Sequence, residues 1–166
     1  GETSVGQYPV QVIEKMSSIL MSVEDSALIK VPQSPPHIRT NRYITKSICY
    51  HAANMANEIN AKAISTLTNS GYTAFQISAW RPAAHILVFT SNKRILTQLN
   101  LLWGVKAFYY DKFVSTDETI DDVNVIACKK GYLESGDMLI SLAAMPIQEK
   151  GMVNTLRVTE ITTCSF

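Results

Sequence analysis

The chain has 166 residues, 15 basic against 14 acidic side chains, and a hydrophobic share of 46%. That balance excludes a disordered segment and leaves no broad charge field for nucleic acid or an acidic membrane, while the length suffices for one ordinary domain with a real core. No apolar run approaches a membrane span, and the N-terminus has no signal-peptide pattern. Cys49, Cys128 and Cys164 are odd in number and far apart; they read as reduced thiols of a cytoplasmic protein, the first two packed. His37, His51 and His85 lack the spacing of a metal site.

In chain order, Pro9 suits the first turn of a helix, and Val12, Ile13, Met16, Ile19, Leu20 and Val23 recur at helical spacing up to about Asp25. Such a stripe needs something to bury against. Pro32, Pro35 and Pro36 exclude regular structure from residues 26–41, which read as a linker. A second helix starts at Thr40 or Asn41, either able to cap it, with Ile44, Ile48, Ala52, Met55 and Ile59 on its buried side; His51, at the stripe's edge, reads as a packed or interface histidine.

Strands and helices then alternate. A strand over 62–67 leads through Asn69-Ser70-Gly71 into a helix from about Thr73, which Pro82 stops. A strand over 86–89 precedes a helix that Ser91 can cap, carrying Ile95, Leu96, Leu99, Leu102 and Trp103 before Gly104. A strand over 105–110 follows, then a helix opened by a Ser115–Glu118 capping box and closed by Gly131. Its Asp117, Glu118, Asp121 and Asp122 complement the helix dipole and form a solvated face rather than a metal cluster. The last two strands, 138–142 and 153–161, are joined by a loop too short for a crossover helix, so the last runs antiparallel. Right-handed crossovers then give an α/β fold: a mostly parallel five-stranded sheet, helices on both faces, last strand antiparallel.

Ligands of such sheets bind beyond the carboxyl ends of the strands. Those ends carry residues 68–73, 90–92 and 143–152. The helix after the first strand points its unpaired N–H groups into that space, and Thr68, Ser70 and Thr73 surround them with hydroxyls. The turn is a small polar cup suited to a phosphate, or simply a helix cap. It is not a P-loop, because G-x-x-x-x-G-K-[ST] is absent.

The run LTNSGYTAFQISAWRP followed by AHILVFTSN resembles the C-terminal regulatory domain of the pyruvate kinase family, through Thr68, Ser70, Gly71, Thr73, Arg81-Pro82, Thr90 and Asn92. Gly1, Glu2, Thr3, Gly6, Tyr8 and Pro9 are similar to the segment opening the last helix of that family's catalytic barrel, with Ser4 in place of alanine. The resemblance implies that residues 1–25 are the terminal barrel helix, 26–41 a linker and 42–166 the regulatory α/β domain. It implies a phosphorylated small-molecule effector whose phosphate rests on Thr68, Asn69, Ser70, Gly71 and Thr73. The implied partners are the protein's own barrel and further copies of itself, with neither nucleic acid nor membrane. Magnesium and potassium are implied for the intact enzyme and no cofactor for this stretch, which holds no catalytic residue of the family.

The second effector loop departs from the sugar-bisphosphate-binding relatives. It reads AAMPIQEKGMVNT, in which Lys150 and Gly151 are the candidate contacts and Glu149 stands beside the lysine. A monophosphate effector, or none, is the expectation. Two other readings stay open: a purely structural subunit-interface module, and a stand-alone α/β enzyme acting on a phosphorylated small molecule.

Overall fold

The computed structural model describes residues 1–26, 34–37, 41–112, 115–145 and 152–164; at Thr116 it describes the backbone. The chain divides into two compact units, Gly1–Pro32 and Gln33–Phe166.

The first unit holds a short helix α1 (Glu2–Val5) and the longer α2 (Pro9–Glu24), which begins with Pro9 at its first position. The Glu2 carboxylate accepts the Tyr8 N–H at 3.0 Å, tying one helix to the entry of the next. No residue of α2 is buried, and Ile13, Met16, Ile19 and Leu20 are exposed.

The second unit runs α3 (Tyr43–Glu58), β1 (Ala63–Leu67), α4 (Tyr72–Ala79), β2 (His85–Thr90), α5 (Lys93–Leu99), β3 (Val105–Tyr109), α6 (Thr116–Lys129), β4 (Met138–Ala143) and β5 (Thr155–Glu160). The sheet order is β3-β2-β1-β4-β5; all neighbours are parallel except β4 and β5, which pair antiparallel from Met138↔Glu160 to Ala143↔Thr155. This is the α/β sheet expected from the alternating pattern, and the short return after β4 has only the antiparallel solution.

Alternation along the strands builds two cores. Ile64, Ile86, Val88, Ile140 and Leu142 face α3, α4 and α5, where Cys49, Ala52, Ala56, Ala74, Ile77 and Leu99 meet them. Ala63, Leu87, Phe89 and Leu139 face α6, through Val123, Ala127 and Cys128. The small residues of α3 let that helix lie close to the sheet.

Three local expectations are corrected. Asn41 does not cap α3: Arg42 holds the cap position in the left-handed region (φ 56), and the Asn41 side chain instead accepts the Arg42 N–H, while Thr40 lies outside the described residues. Asn92, not Ser91, caps α5, its Oδ1 accepting the Arg94 N–H at 3.1 Å. Cys128 and Cys164 are joined by a disulfide, with Cα atoms 5.6 Å apart, while Cys49 is the one free thiol among the described residues. The end of α6 and the segment after β5 meet at the same side of the sheet, a closure that a spacing of 36 residues does not announce.

Candidate functional site

The strand order reverses between β1 and β4, and in open α/β sheets the crevice beyond the strand ends at such a reversal is where ligands bind. The turn 68–71 leaves β1 there and enters α4. The Thr68 N–H donates to the Phe89 carbonyl at 3.0 Å, extending the sheet by one bond before the chain turns away. The Asn92 Nδ2 donates to the Asn69 carbonyl at 3.1 Å, so the residue that caps α5 also braces the neighbouring turn.

Gly71 occupies the cap position of α4 with φ 79. A Cβ at this site would lie 3.2 Å from Leu99 Cδ2, on a side chain that is 1% exposed. The positive φ favours glycine here, and a Cβ would in addition have to push Leu99 aside by a few tenths of an ångström. The Thr68 hydroxyl oxygen accepts the Gly71 N–H at 2.9 Å, and Ser70 Oγ lies 3.5 Å from the Tyr72 nitrogen. The first-turn N–H groups of Thr73 and Ala74 have no acceptor within the helix. Thr68, Asn69, Ser70, Gly71 and Thr73 therefore share one turn, with Asn69 and Ser70 exposed, Thr68 half-buried and Thr73 buried. Lys150 and Gly151 lie outside the described residues.

One residue at this turn escapes sequence reasoning. The Arg42 guanidinium lies 4.6 Å from the centre of the Tyr72 ring, which brings a cation beside the first residue of α4. Nothing local to Arg42 signals this, because the pairing depends on how α3 and α4 pack.

The acids of α6 are engaged separately. Asp117 pairs with Arg157 at 3.0 Å, Glu118 accepts the Ser115 hydroxyl at 3.0 Å, and Asp122 accepts the Tyr110 hydroxyl at 3.2 Å. The Tyr110 phenol is pushed up by burial and by that carboxylate. Among the described residues no group of three or more His, Cys, Asp or Glu is placed to hold a metal ion. Among the same residues no helix is long and apolar enough to cross a membrane. His51 is exposed, its ring edge-on to Tyr50 at 5.0 Å.

Fold and turn together define an α/β chain with a mostly parallel sheet and a polar turn at its topological switch. The chain belongs to the pyruvate kinase alpha/beta domain family, whose model matches residues 46–159. A pyruvate kinase of Geobacillus stearothermophilus is 32% identical over 158 residues, covering 95% of this chain and 27% of that protein. One from Clostridium acetobutylicum is 30% identical over 162 residues, covering 95% of this chain and 33% of that protein. The chain thus spans about a quarter to a third of the length of these curated relatives. The crystal structure of a pyruvate kinase from Cryptosporidium parvum superimposes with a TM-score of 0.76 at 23% identity, over 97% of this chain and 32% of that one, a likeness of fold.

Proposed function

We propose that the turn 68–73 holds the phosphate of a small-molecule effector, and that this chain is the regulatory part of a longer cytoplasmic pyruvate kinase. In that reading the transfer of a phosphoryl group from phosphoenolpyruvate to ADP, with magnesium and potassium, takes place on other residues. The observation that carries the phosphate role is the exposed Ser70 hydroxyl at the N-terminus of α4, 3.5 Å from the Tyr72 nitrogen, with the Arg42 guanidinium over the ring of that same tyrosine. The turn offers donors enough for one phosphate, so a monophosphate is the favoured ligand. Copies of the chain assemble in this reading through β5, the outermost strand of the sheet among the described residues.

A second reading, subunit contact without an effector, is favoured by the Thr68 hydroxyl oxygen, which already serves the Gly71 N–H as an ordinary turn would have it. A thermal-shift screen with inorganic phosphate, AMP, ribose 5-phosphate, glucose 6-phosphate and fructose 1,6-bisphosphate separates the two. A native-state ligand at a hundred times its dissociation constant adds about 2.7 kcal/mol of stability. A flat response to all five at millimolar concentration would leave the second reading.

A further inference from the structure

The Cys128–Cys164 disulfide and the Arg157–Asp117 pair both fasten α6 to β5 or its continuation. Cys128 lies in the last turn of α6 and is 7% exposed; Cys164 follows β5 and is half-buried, leaving it within reach of a small thiol. The other fastening is the Arg157–Asp117 pair at the start of α6, 3.0 Å long with side chains 44% and 80% exposed. Solvent screening makes an ion pair of that kind weak, so the disulfide is the firm member.

The chain between the two fastenings keeps its own hydrogen bonds. The Gly136 N–H donates to the Ile161 carbonyl at 2.7 Å, the Ile161 N–H to the Asp137 carbonyl at 2.9 Å, and the Ser135 hydroxyl to the Thr162 carbonyl at 2.7 Å. Loss of the disulfide therefore leaves the end of β5 and the residues after it held by these bonds, looser but still paired with β4. The remaining cysteine does not interfere: Cys49 is 0% exposed, and burial pushes its thiol up to about 12, so it supplies almost no thiolate for exchange.

We propose that Cys128 and Cys164 form a reversible thiol–disulfide switch that fastens the segment after β5 to the end of α6 and, when reduced, loosens the C-terminal end of this edge strand. With glutathione as reductant, its thiolate attacks Cys164 Sγ and the S–S bond breaks. Cys128 leaves with the electron pair and takes a proton from water. A second glutathione thiolate attacks the mixed disulfide, releasing Cys164, which is likewise protonated, and forming glutathione disulfide. Two electrons have moved from the two glutathiones to the pair, and glutathione disulfide drives the reverse. In a reducing compartment a disulfide is transient rather than a permanent staple. That choice of role rests on the cytoplasmic placement proposed above, whereas the exchange chemistry does not.

The test equilibrates the chain at graded ratios of glutathione to glutathione disulfide, quenches with acid, alkylates under denaturing conditions and weighs the intact protein. The expected result is one alkylated thiol at the oxidising end, three at the reducing end, and a single transition between them that Cys49→Ala retains. Hydrogen exchange over residues 155–164 should be at least about fivefold faster in the reduced state, with β1 and β2 unchanged. Cys164→Ser should exchange at the fast rate in both buffers. Three alkylated thiols at every ratio would overturn the proposal, as would a disulfide that forms yet leaves exchange over 155–164 the same.

Discussion

The guanidinium of Arg42 stands 4.6 Å from the centre of the Tyr72 ring and so joins the residue before α3 to the first residue of α4. Arg42 holds this place with φ 56, a left-handed conformation that costs an ordinary residue about 1 kcal/mol or more. Arg42→Gly accepts the backbone and removes the charge. The gain from relieved strain is offset by the extra freedom of glycine in the unfolded chain, so stability should change by less than about 1 kcal/mol. Affinity for a phosphorylated ligand should fall about tenfold, the loss of one charge-assisted hydrogen bond. Calorimetric titration alongside urea unfolding reads both quantities. Lower stability with unchanged affinity would confine Arg42 to packing.

Gly71 is tested through the fold rather than the ligand. Gly71→Ala forces a Cβ into φ 79 and to 3.2 Å from Leu99 Cδ2, beside Ile95 Cδ1 at 3.8 Å. Buried Leu99 has little room to yield. A loss of about 1–2 kcal/mol is expected, seen as a melting point about 3–6 °C lower. An unchanged melting point would mean that the turn relaxes to another conformation.

The parts of this fold that are legible in the sequence are those set by neighbours in the chain. The serine half of the Ser115–Glu118 capping box forms as read, the hydroxyl oxygen accepting the Glu118 N–H at 3.2 Å, while the Glu118 carboxylate takes the Ser115 hydroxyl rather than its backbone N–H. Gly131, read as a helix stop, follows the end of α6 with φ 74, whereas α5 ends at Leu99, ahead of Leu102, Trp103 and the Gly104 read as its stop. The antiparallel β5 follows from the shortness of its loop. What is not legible depends on elements meeting in space. Arg42 reaches Tyr72 only because α3 lies against α4, and Asn92 braces Asn69 only because β2 lies beside β1. The disulfide escapes for the same reason: cysteine count and spacing describe a framework in small secreted domains, and say nothing of two thiols that a sheet and a helix bring together.

Cys49 gives the protein a pH dependence above neutrality. Burial raises its thiol from 9.0 to about 12. The folded state therefore retains a proton that the unfolded chain releases, and this contribution is complete below pH 9 and disappears as pH climbs toward 12. From pH 8 to pH 10 the group alone should lower unfolding free energy by about 1.4 kcal/mol. Tyr110, also raised by burial, adds a loss of the same sign at higher pH. Urea unfolding at the two pH values, repeated on Cys49→Ala, isolates the term, because the cost of the cavity cancels between them. Equal slopes in both proteins would contradict the assignment.

Self-association is expected through β5, the outermost strand of the sheet among the described residues. Its Val158 is 40% exposed on a strand that ends the sheet, and an unpaired edge is a template for another chain. Light scattering at micromolar concentration should give at least a dimer, and Val158→Asp should shift it toward monomer by placing like charges near each other across the pair. A dimer that ignores Val158→Asp would transfer the contact elsewhere, for instance to the exposed stripe of Ile13, Met16 and Leu20.

Ser70 decides whether the turn binds phosphate at all. Its side chain is exposed, and its Oγ stands 3.5 Å from the Tyr72 nitrogen, near the N–H groups that a phosphate would take. Each hydrogen bond to a charged group contributes about 1.5–3 kcal/mol, and the helix dipole up to about 2 kcal/mol in partly buried geometry. Three or four such contacts, less the cost of immobilising the ligand, place the affinity between about micromolar and millimolar. Ser70→Ala removes one contact and should weaken binding about tenfold. Ser70→Asp puts a fixed carboxylate where the phosphate would lie and should abolish binding. It should leave the melting point unchanged or slightly higher, since an anion at a helix N-terminus is favourable. Calorimetric titration of the three proteins, using whichever compound raises the melting point in the screen, reads all of these. Retained affinity in Ser70→Asp would place the ligand elsewhere and reduce residues 68–73 to the entrance of α4.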